Sequence, residues 1–408
     1  MTVHSKTHTD ITAVYFPSYH RDPHYDQWYG PGWNEWQLME EARPLFPGHE
    51  QPKLCEWGSF DEANPEWMAR QIDLAADHGI TSFLFDWYWY GGTRFLHRAL
   101  EEGFLRAPNR NRLKFFIMWA NHTWGVFPAM REKYRAAQTG RNLSRGQALA
   151  YDQTLLEIRH SQEDLQAVAE YCCEHYFNQP NYHKVDGKPI FSFWRWEELE
   201  NQLGGVDGVA QGFEAMRKIA RRHGHPGLHI LINLACYEGP QTLHCWWPGL
   251  IERVKRAGAD SVFGYNVART HGYSQLTNES PLVPYREVIE SHRELFRLCE
   301  NRGLPFHPTA TIGFDNTPRW HRGATLPLDF RSLFYEPIVI NHSPAEYGRT
   351  LREAVASLER TGAPGHAQMV ILNAWNEWSE GNYLLPDTRH GTGYLEEVRK
   401  VAQSLGAH

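Results

Sequence analysis

Eight short, nearly continuous apolar runs, separated by amphipathic helical patterns, constrain this chain more than any other feature. The runs are Ile11–Phe16, Ile80–Asp86, Leu113–Trp119, Pro189–Trp194, Leu228–Asn233, Asp260–Tyr265, Pro308–Ile312 and Gln368–Trp375. A strand with one wet face alternates apolar and polar residues. A run without alternation is covered on both faces, as in a parallel sheet flanked by helices. The segments between carry helix signals. Asn64 caps a helix opened by Pro65 and Glu66, with Met68, Ile72 and Ala75 on one face and Gly79 as its stop. Ser343 and Pro344 open another, through Tyr347, Leu351 and Val355 to Gly362. Leu165–Tyr176, Phe213–His223 and Tyr285–Cys299 continue the pattern.

Eight βα units predict an α/β chain closed into a (β/α)8 TIM barrel, and no glycine-rich phosphate turn follows a strand to suggest a doubly wound sheet. A minimal barrel needs about 250 residues, so roughly 150 remain for loops. The longest fall between the first two runs, the third and fourth, and the sixth and seventh. The expected organisation is a flexible tail over residues 1–10 and a single barrel domain over 11–408.

Composition excludes several classes. At 41% apolar residues with no long polar tract, the chain is not disordered. Asp and Glu number 48 against 41 Lys and Arg, a net charge of -7 that argues against a nucleic-acid partner. No apolar stretch approaches the roughly 20 residues of a membrane span. Residues Met1 to Ile11 are polar where a secretory signal needs an apolar block, so a cytoplasmic location is expected. Cys55, Cys172, Cys173, Cys236, Cys245 and Cys299 fit no disulfide or zinc spacing and are expected to be reduced and mostly buried.

Reactive residues of such a barrel stand at the C-terminal ends of its strands. At the first end are Tyr15, Pro17, Tyr19 and His20; at the second, Asp86, Trp87, Tyr88, Trp89 and Tyr90. Trp119, Asn121, His122 and Trp124 follow at the third, Trp194, Arg195 and Trp196 at the fourth, Asn233 at the fifth and Asn266 at the sixth. Asp315, Asn316 and Arg319 come after the seventh, and Asn373, Trp375, Asn376, Glu377, Trp378 and Glu380 at the last. A core explains an aromatic within a strand, but not Trp, Asn and Asp repeated just beyond strand ends. Aromatic faces cover the C–H side of a pyranose while amides and carboxylates hold its hydroxyls. One rim therefore reads as a sugar-binding cleft.

The segment Asn373-Ala-Trp-Asn-Glu-Trp-Ser-Glu-Gly381 is the most informative. Glu377 and Glu380 stand three apart, a spacing that in a helical or turn-like segment brings Cβ atoms to about 5–6 Å. Retaining glycosidases hold two carboxyl groups about 5–5.5 Å apart, and inverting ones about 6.5–9.5 Å. Trp375 and Trp378 are expected to wall the pair off from water. That raises the pKa of whichever carboxyl lacks a charged partner, which then serves as general acid.

In order along the chain, Tyr15-Phe-Pro-Ser-Tyr-His20, the Asp26, Trp28, Gly30, Gly32, Trp33, Glu35, Trp36 cluster, and Gln71 through Gly79-Ile80 into the aromatic run to Trp89 form a set. Trp119-Ala-Asn121, Gly187-Lys-Pro189, Phe314-Asp-Asn-Thr-Pro-Arg319 and Asn373 to Gly381 complete it. The set resembles the WbsX-like domain of bacterial polysaccharide loci, related to glycoside hydrolase family 99, whose best-studied members are retaining endo-α-mannosidases on (β/α)8 barrels. The resemblance implies that Glu377 is a base that deprotonates the substrate's own 2-hydroxyl. That oxygen attacks C1 to give a 1,2-anhydro sugar while Glu380, the general acid/base, protonates the leaving oxygen. Glu377 returns the proton when water opens the epoxide. Backside attack by O2 requires a 1,2-trans linkage, as in α-mannosides, α-L-rhamnosides or β-glucosides, and excludes α-glucosides.

The expectation is thus a retaining glycoside hydrolase acting on an α-mannoside or α-L-rhamnoside bond, with a bacterial poly- or oligosaccharide as the expected partner and the oligomeric state left open. The alternatives are a polysaccharide-biosynthesis glycosyltransferase and a non-catalytic carbohydrate-binding protein. Beside Glu377 and Glu380, the expected substrate contacts are Tyr15, Tyr19, His20, Trp36, Asp86, Tyr88, Trp89, Asn121, Trp124, Arg195, Asn233, Asp315, Arg319, Trp375, Asn376 and Trp378. Asp86, where WbsX-like chains often carry His or Tyr, suits a sugar contact or the nucleophile of an ordinary double displacement. Asp315 and Arg319 orient either each other or the sugar. His20, His24 and Asp26 suggest a metal site only weakly among 23 histidines. No metal or cofactor is expected, and the mechanism requires none.

Overall fold

The computed structural model describes residues 9–130, 133–134, 154–234, 248–267, 282–320, 338–361 and 368–406. Nine strand segments form its main sheet: β1 (Asp10–Tyr15), β2 (Ser82–Tyr90), β3 (Lys114–Trp119), β4 (Lys188–Phe193), β5 (His229–Asn233), β6 (Ser261–Phe263), β7 (Phe306–His307), β8 (Thr309–Thr311) and β9 (Met369–Asn373). Every neighbouring pair among them is parallel, in the order β7-β6-β5-β4-β3-β2-β1-β9-β8. Nearly every residue of these strands is buried, which is why the runs show no alternation.

The seventh barrel strand starts two residues ahead of the seventh expected run and is split at that run's first residue, Pro308. Before it, Phe306 and His307 pair with Val262 and Phe263 of β6; after it, Thr309 to Thr311 pair with Ile371 to Asn373 of β9. Proline has no N–H for a ladder, so the strand changes partner there, while the Pro308 carbonyl still accepts from Ile371 N at 2.9 Å. The chain crossing Pro308 closes the sheet into a barrel of eight strand positions. This is the (β/α)8 TIM barrel.

Among the described residues, seven helices of nine residues or more surround it: α1 (Pro65–Asp77), α2 (Gln162–His175), α3 (Val206–Arg222), α4 (Pro248–Arg256), α5 (Tyr285–Cys299), α6 (Pro344–Thr361) and α7 (Gly393–Gly406). Asn64 caps α1 as expected, accepting from Glu66 N at 2.8 Å, and Met68, Ile72 and Ala75 are buried. Gly79 has φ +86°, and a Cβ there would lie 2.3 Å from that of Ala402 on α7, so no larger residue fits. Helix α2 starts at Gln162 rather than Leu165, because Ser161 caps it by accepting from Asp164 N at 3.0 Å. Gly362, the expected stop of α6, lies outside the described residues, as do Cys236 and Cys245; Cys55, Cys172, Cys173 and Cys299 are free and buried. Strand β1 begins at Asp10, inside the expected tail, and anchors there through His183 at 3.1 Å and Lys114 at 3.2 Å. Among the described residues, no helix is long and apolar enough to cross a membrane.

One difference from the expected elements bears on the site. The aromatic run after Asp86 is strand, not loop. β2 continues to Tyr90 and folds back antiparallel on Thr93–Phe95, pairing Tyr88 with Phe95 and Trp89 with Arg94. Its side chains therefore alternate between two faces.

Candidate active site

Beyond β9 the chain makes a tight hairpin. Asn376 and Glu377 pair antiparallel with Tyr383 and Asn382, and a single 3-10 turn, Trp378–Glu380, joins them. Glu377 and Glu380 thus stand at the two ends of one turn, as their spacing predicted. Gly381 closes the turn at φ +62°, where a Cβ would sit 2.6 Å from Lys53 Nζ and 3.2 Å from Asp315 Cβ, so a side chain there would displace Lys53 and crowd Asp315. The hairpin is fixed to the end of β1. The Asn376 amide accepts from Phe16 N at 2.8 Å and donates to Phe16 O at 2.7 Å, and the Tyr19 hydroxyl accepts from Ser379 N at 3.1 Å.

Arg319, on the short helix Thr317–Trp320, is the hub of the site. Its Nη1 donates to Glu380 at 2.5 Å, its Nη2 to Glu377 at 3.0 Å and to Glu35 at 3.4 Å, and its Nε to Ser379 Oγ at 2.8 Å. Ser379 Oγ in turn donates to Glu35. The guanidinium lies over the rings of Phe16 and Phe127, at 5.2 and 5.6 Å. Three carboxyl groups, Glu35 and Glu377 buried and Glu380 partly so, share this one cation.

Their environment pushes protons onto the pair. Burial raises Glu377 well above the ordinary carboxylate range, Glu380 adds to the rise, and Arg319 opposes it. Burial also raises Glu380, again against Arg319. Asp86 is raised by burial and by Glu380, with the Tyr265 hydroxyl opposing. That hydroxyl stands 3.3 Å from Asp86 and 3.4 Å from Glu377. A phenol has one proton to give, so both contacts are hydrogen bonds only when one carboxyl carries its own proton. The Glu380 side chain is 19% exposed against 4% for Glu377, so Glu380 is the more open of the two to an entering ligand.

Of the expected contacts, the structure gathers Tyr19, Asp86, Tyr88, Asn376, Trp378 and Arg319 around or directly behind the pair. Tyr88 lies close to Asp86 and Glu377, and Trp124 packs edge-on against it at 5.3 Å. Trp378 backs the turn, stacked on Tyr383 at 3.8 Å and packed on Trp36. Trp36 is held there by its Nε1 donating to Phe60 O at 2.8 Å.

Others turn elsewhere. Tyr15 and Trp375 both donate to Gln71 of α1, at 3.2 and 2.9 Å, and so occupy the layer between sheet and helices rather than the cleft. Trp375 therefore does not wall off the pair. Trp89, on the outward face of β2, donates to Asp164 of α2 at 3.0 Å. His20 pairs with Glu62 at 3.3 Å. Asn121 spends its amide on scaffolding: Oδ1 accepts from Trp194 N and Arg195 N, and Nδ2 donates to Arg195 O at 2.9 Å. Asn233 likewise donates to Trp194 O at 3.1 Å, and Arg195 lies over the Trp194 ring at 4.8 Å. Asp315 and Arg319 do not orient each other. Asp315 accepts from His49 at 2.9 Å, Gln51 at 2.7 Å and the Thr317 hydroxyl at 2.7 Å. Burial alone would raise it, but these bonds and the nearby Lys53 hold it far below the usual carboxylate range.

Sequence reasoning missed Glu35, Glu62 and Tyr265. Tyr265 is the last residue of the sixth run, beside the Asn266 that was singled out, so its position was the available signal. Glu35 sits in the Trp33-Asn-Glu-Trp36 cluster. Glu62 has no motif, yet it is fully buried and accepts from Tyr19 N at 2.6 Å and Asn376 at 3.1 Å. Among the described residues, no group of three or more His, Cys, Asp or Glu gathers as metal ligands would.

Comparison with known proteins adds the following. The model of the family described as "Glycosyltransferase WbsX" matches residues 11–398. Two curated relatives, both "Uncharacterized protein WxcX" from strains of Xanthomonas campestris pv. campestris, are 26% identical over 96% of this chain and 49% of their own length. The chain therefore spans about half the length of these relatives. Among solved structures, a family 99 endo-α-mannosidase from Bacteroides thetaiotaomicron in complex with bis-tris-propane matches with a TM-score of 0.59 at 12% identity, covering 98% of this chain and 97% of that one. A structure described as a glycoside hydrolase-like protein matches at 0.57 and 13% identity, covering 97% and 95%. At such identities the likeness is one of fold.

Proposed function

The chain belongs to the WbsX glycosyltransferase family, and on that premise we propose that it cleaves a 1,2-trans glycosidic bond, of α-mannoside or α-L-rhamnoside type, in a bacterial poly- or oligosaccharide. The observation that carries this reading is the Glu377–Glu380 pair on one guanidinium, in a tight turn beyond the last barrel strand, with burial raising both carboxyls. A buried carboxyl that keeps its proton near neutral pH is what protonation of a leaving glycosidic oxygen needs. The endo-α-mannosidase fold match supports the substrate class, and the resemblance in the Asn373 to Gly381 segment supports the division of labour.

In the proposed reaction the pair holds one proton. Glu377 is the deeper of the two and rests with the greater share of it. A substrate 2-hydroxyl donating to Glu377 favours its ionised form and leaves the proton on Glu380. Glu377 then removes the 2-hydroxyl proton as O2 attacks C1 and the C1–O1 bond breaks. Glu380 protonates the departing oxygen. In the second half, Glu380 takes a proton from water as it opens the 1,2-anhydro ring at C1, and Glu377 returns its proton to O2. The product keeps the anomeric configuration of the substrate. Arg319 holds both carboxyls in register throughout, and Tyr265 keeps Glu377 and Asp86 at hydrogen-bonding distance.

A panel of 1,2-trans aryl glycosides and manno- and rhamno-oligosaccharides tests the reading. Turnover is expected from the native protein, nearly lost in Glu377→Gln and strongly reduced in Glu380→Gln, with α-glucosides inert; turnover left intact by either substitution contradicts it. The family's description favours a second reading, glycosyl transfer from an activated sugar. Product formation from UDP- or GDP-sugars, with the aryl panel silent, would establish that reading instead.

A further inference from the structure

A cavity of about 160 Å³ lies on the far side of Gly381 from the carboxyl pair, between residues 50–54 after β1 and residues 383–390 after the hairpin. His342, which precedes α6, completes its wall. None of this belongs to the reaction described above. Three features of the wall point to a ligand.

The first is Lys53. It is 7% exposed, and among the described residues the one hydrogen-bond contact of its amine is a long one, 3.5 Å to His342 Nε2. An ammonium only donates, so His342 Nε2 accepts, and the ring gives its other proton to Tyr394 at 2.6 Å. The carboxylates around Lys53 are taken up by others. Asp315 is held by His49, Gln51 and Thr317; Asp387 accepts from Tyr383 and Arg389 N, both at 2.9 Å, and from His390 N; Glu50 pairs with Arg389. A buried ammonium with unused N–H groups calls for acceptor atoms from outside.

The second is the charge balance. Lys53 and Arg389 face Glu50 and Asp387, and His390 Nε2 is buried without a hydrogen-bond partner among the described residues. Donors and acceptors alternate around a wall whose formal charges cancel. An anion gains nothing there; a neutral polyol, each of whose hydroxyls both donates and accepts, satisfies both kinds of group. The third is apolar. Leu54, the one large apolar side chain that is exposed among the described residues, at 38%, stands with Pro52 and Tyr383 on the same wall. That gives a surface for the C–H face of a sugar ring.

We propose that this cavity is a subsite for a neutral, hydroxyl-rich sugar unit of the glycan attacked by Glu377 and Glu380. The inference rests on the glycosidic reading of that pair. A Cβ on Gly381 would lie 2.6 Å from Lys53 Nζ, so the cavity wall adjoins the turn that carries Glu380.

Hydrogen–deuterium exchange of the Glu377→Gln/Glu380→Gln protein tests this without turnover. The probes are a neutral α-manno-tetrasaccharide, methyl α-D-mannopyranoside and the charged methyl β-D-glucuronide. The neutral probes are expected to slow exchange in residues 50–55 and 383–391. Lys53→Met should weaken that protection about tenfold, as loss of hydrogen bonds from a charged donor does, and Lys53→Arg should restore part of it. Leu54→Asp, at an exposed position that tolerates substitution, should weaken it as well. Protection that persists undiminished in Lys53→Met and Leu54→Asp overturns the proposal. So does protection stronger with the glucuronide, or absent from these segments with every neutral probe. A failed glycosidase reading shows separately, as lack of turnover by the native protein.

Discussion

Two buried carboxyl clusters lie either side of Gly381, tied by the Asp315 N–H donating to the Glu380 carbonyl at 2.7 Å, and they meet their charge in opposite ways. At Asp315 a single carboxylate receives hydrogen bonds from His49, Gln51 and Thr317 with Lys53 nearby, and its pKa falls despite burial. At Arg319 one guanidinium serves Glu35, Glu377 and Glu380, and burial wins at the pair. A buried carboxyl becomes a fixed anchor where donors outnumber carboxyls, and a proton reservoir where carboxyls outnumber donors. Burial is common to both; the count of donors decides.

The largest effect that tests this contrast is on turnover. Glu377→Gln should lower kcat on a 1,2-trans aryl glycoside by about 10³-fold, the scale of a lost acid–base group. Asp315→Asn should leave a substantial rate in whatever fraction stays folded. Equal rate losses would erase the distinction. Next, Arg319→Met strands several buried carboxyls and should cost about 3–5 kcal/mol of stability at neutral pH in a denaturant titration. The loss should shrink on acidification, because protonated carboxyls no longer need the cation.

Asp315→Asn should cost about 1–3 kcal/mol at neutral pH, since donors from His49 and Gln51 lose a charged acceptor and Lys53 loses its countercharge. Its folded pKa lies below the ordinary 3.8, so the stabilisation is present above that value and lost as pH falls through it; the gap to wild type should close in acid. The Glu377→Gln/Glu380→Gln protein should behave in reverse. Both folded pKa values lie above the ordinary 4.5, so these carboxyls favour the fold below it and cease to do so as pH rises. The variant should melt at or above wild type at neutral pH and lose that margin near pH 4. Smallest, Tyr265→Phe removes a weak donor that opposes protonation of Asp86, a matter of about 1 kcal/mol. It should raise the pH at which the Asp86 carboxyl ionises, read by infrared titration, with only a modest change in kcat.

The barrel and the reactive turn were legible in the sequence for different reasons. Strands buried on both faces write themselves as unbroken apolar runs, so all eight are legible, but the Phe306–His307 segment ahead of Pro308 and the continuation of β2 to Tyr90 are not. The Glu377–Glu380 spacing is local and survives any packing. What a strand end faces is not local. Tyr15, Trp89 and Trp375 stand where cleft residues belong, yet Tyr15 and Trp89 sit on the outward parity of their strands, and all three bond to a helix residue far away in sequence. Parity became readable only once β2 was known to run on to Tyr90. Arg319 is legible as a contact to sugar or Asp315 but not as the partner of the carboxyl pair, and Glu35 only as a member of the family set, because their meeting joins the loop after β1 to the one after β8.

Infrared titration tests the central claim most directly, because it needs no substrate. A protonated carboxylic acid has a carbonyl stretch distinct from that of a carboxylate. A protonated band is predicted to persist at neutral pH in the native protein, to change in Glu377→Gln and Glu380→Gln, and to be unaffected by Asp315→Asn. A native protein whose buried carboxyls are all ionised at neutral pH, or whose protonated band disappears only with Asp315, would contradict the assignment of the Arg319 cluster as the proton-holding centre.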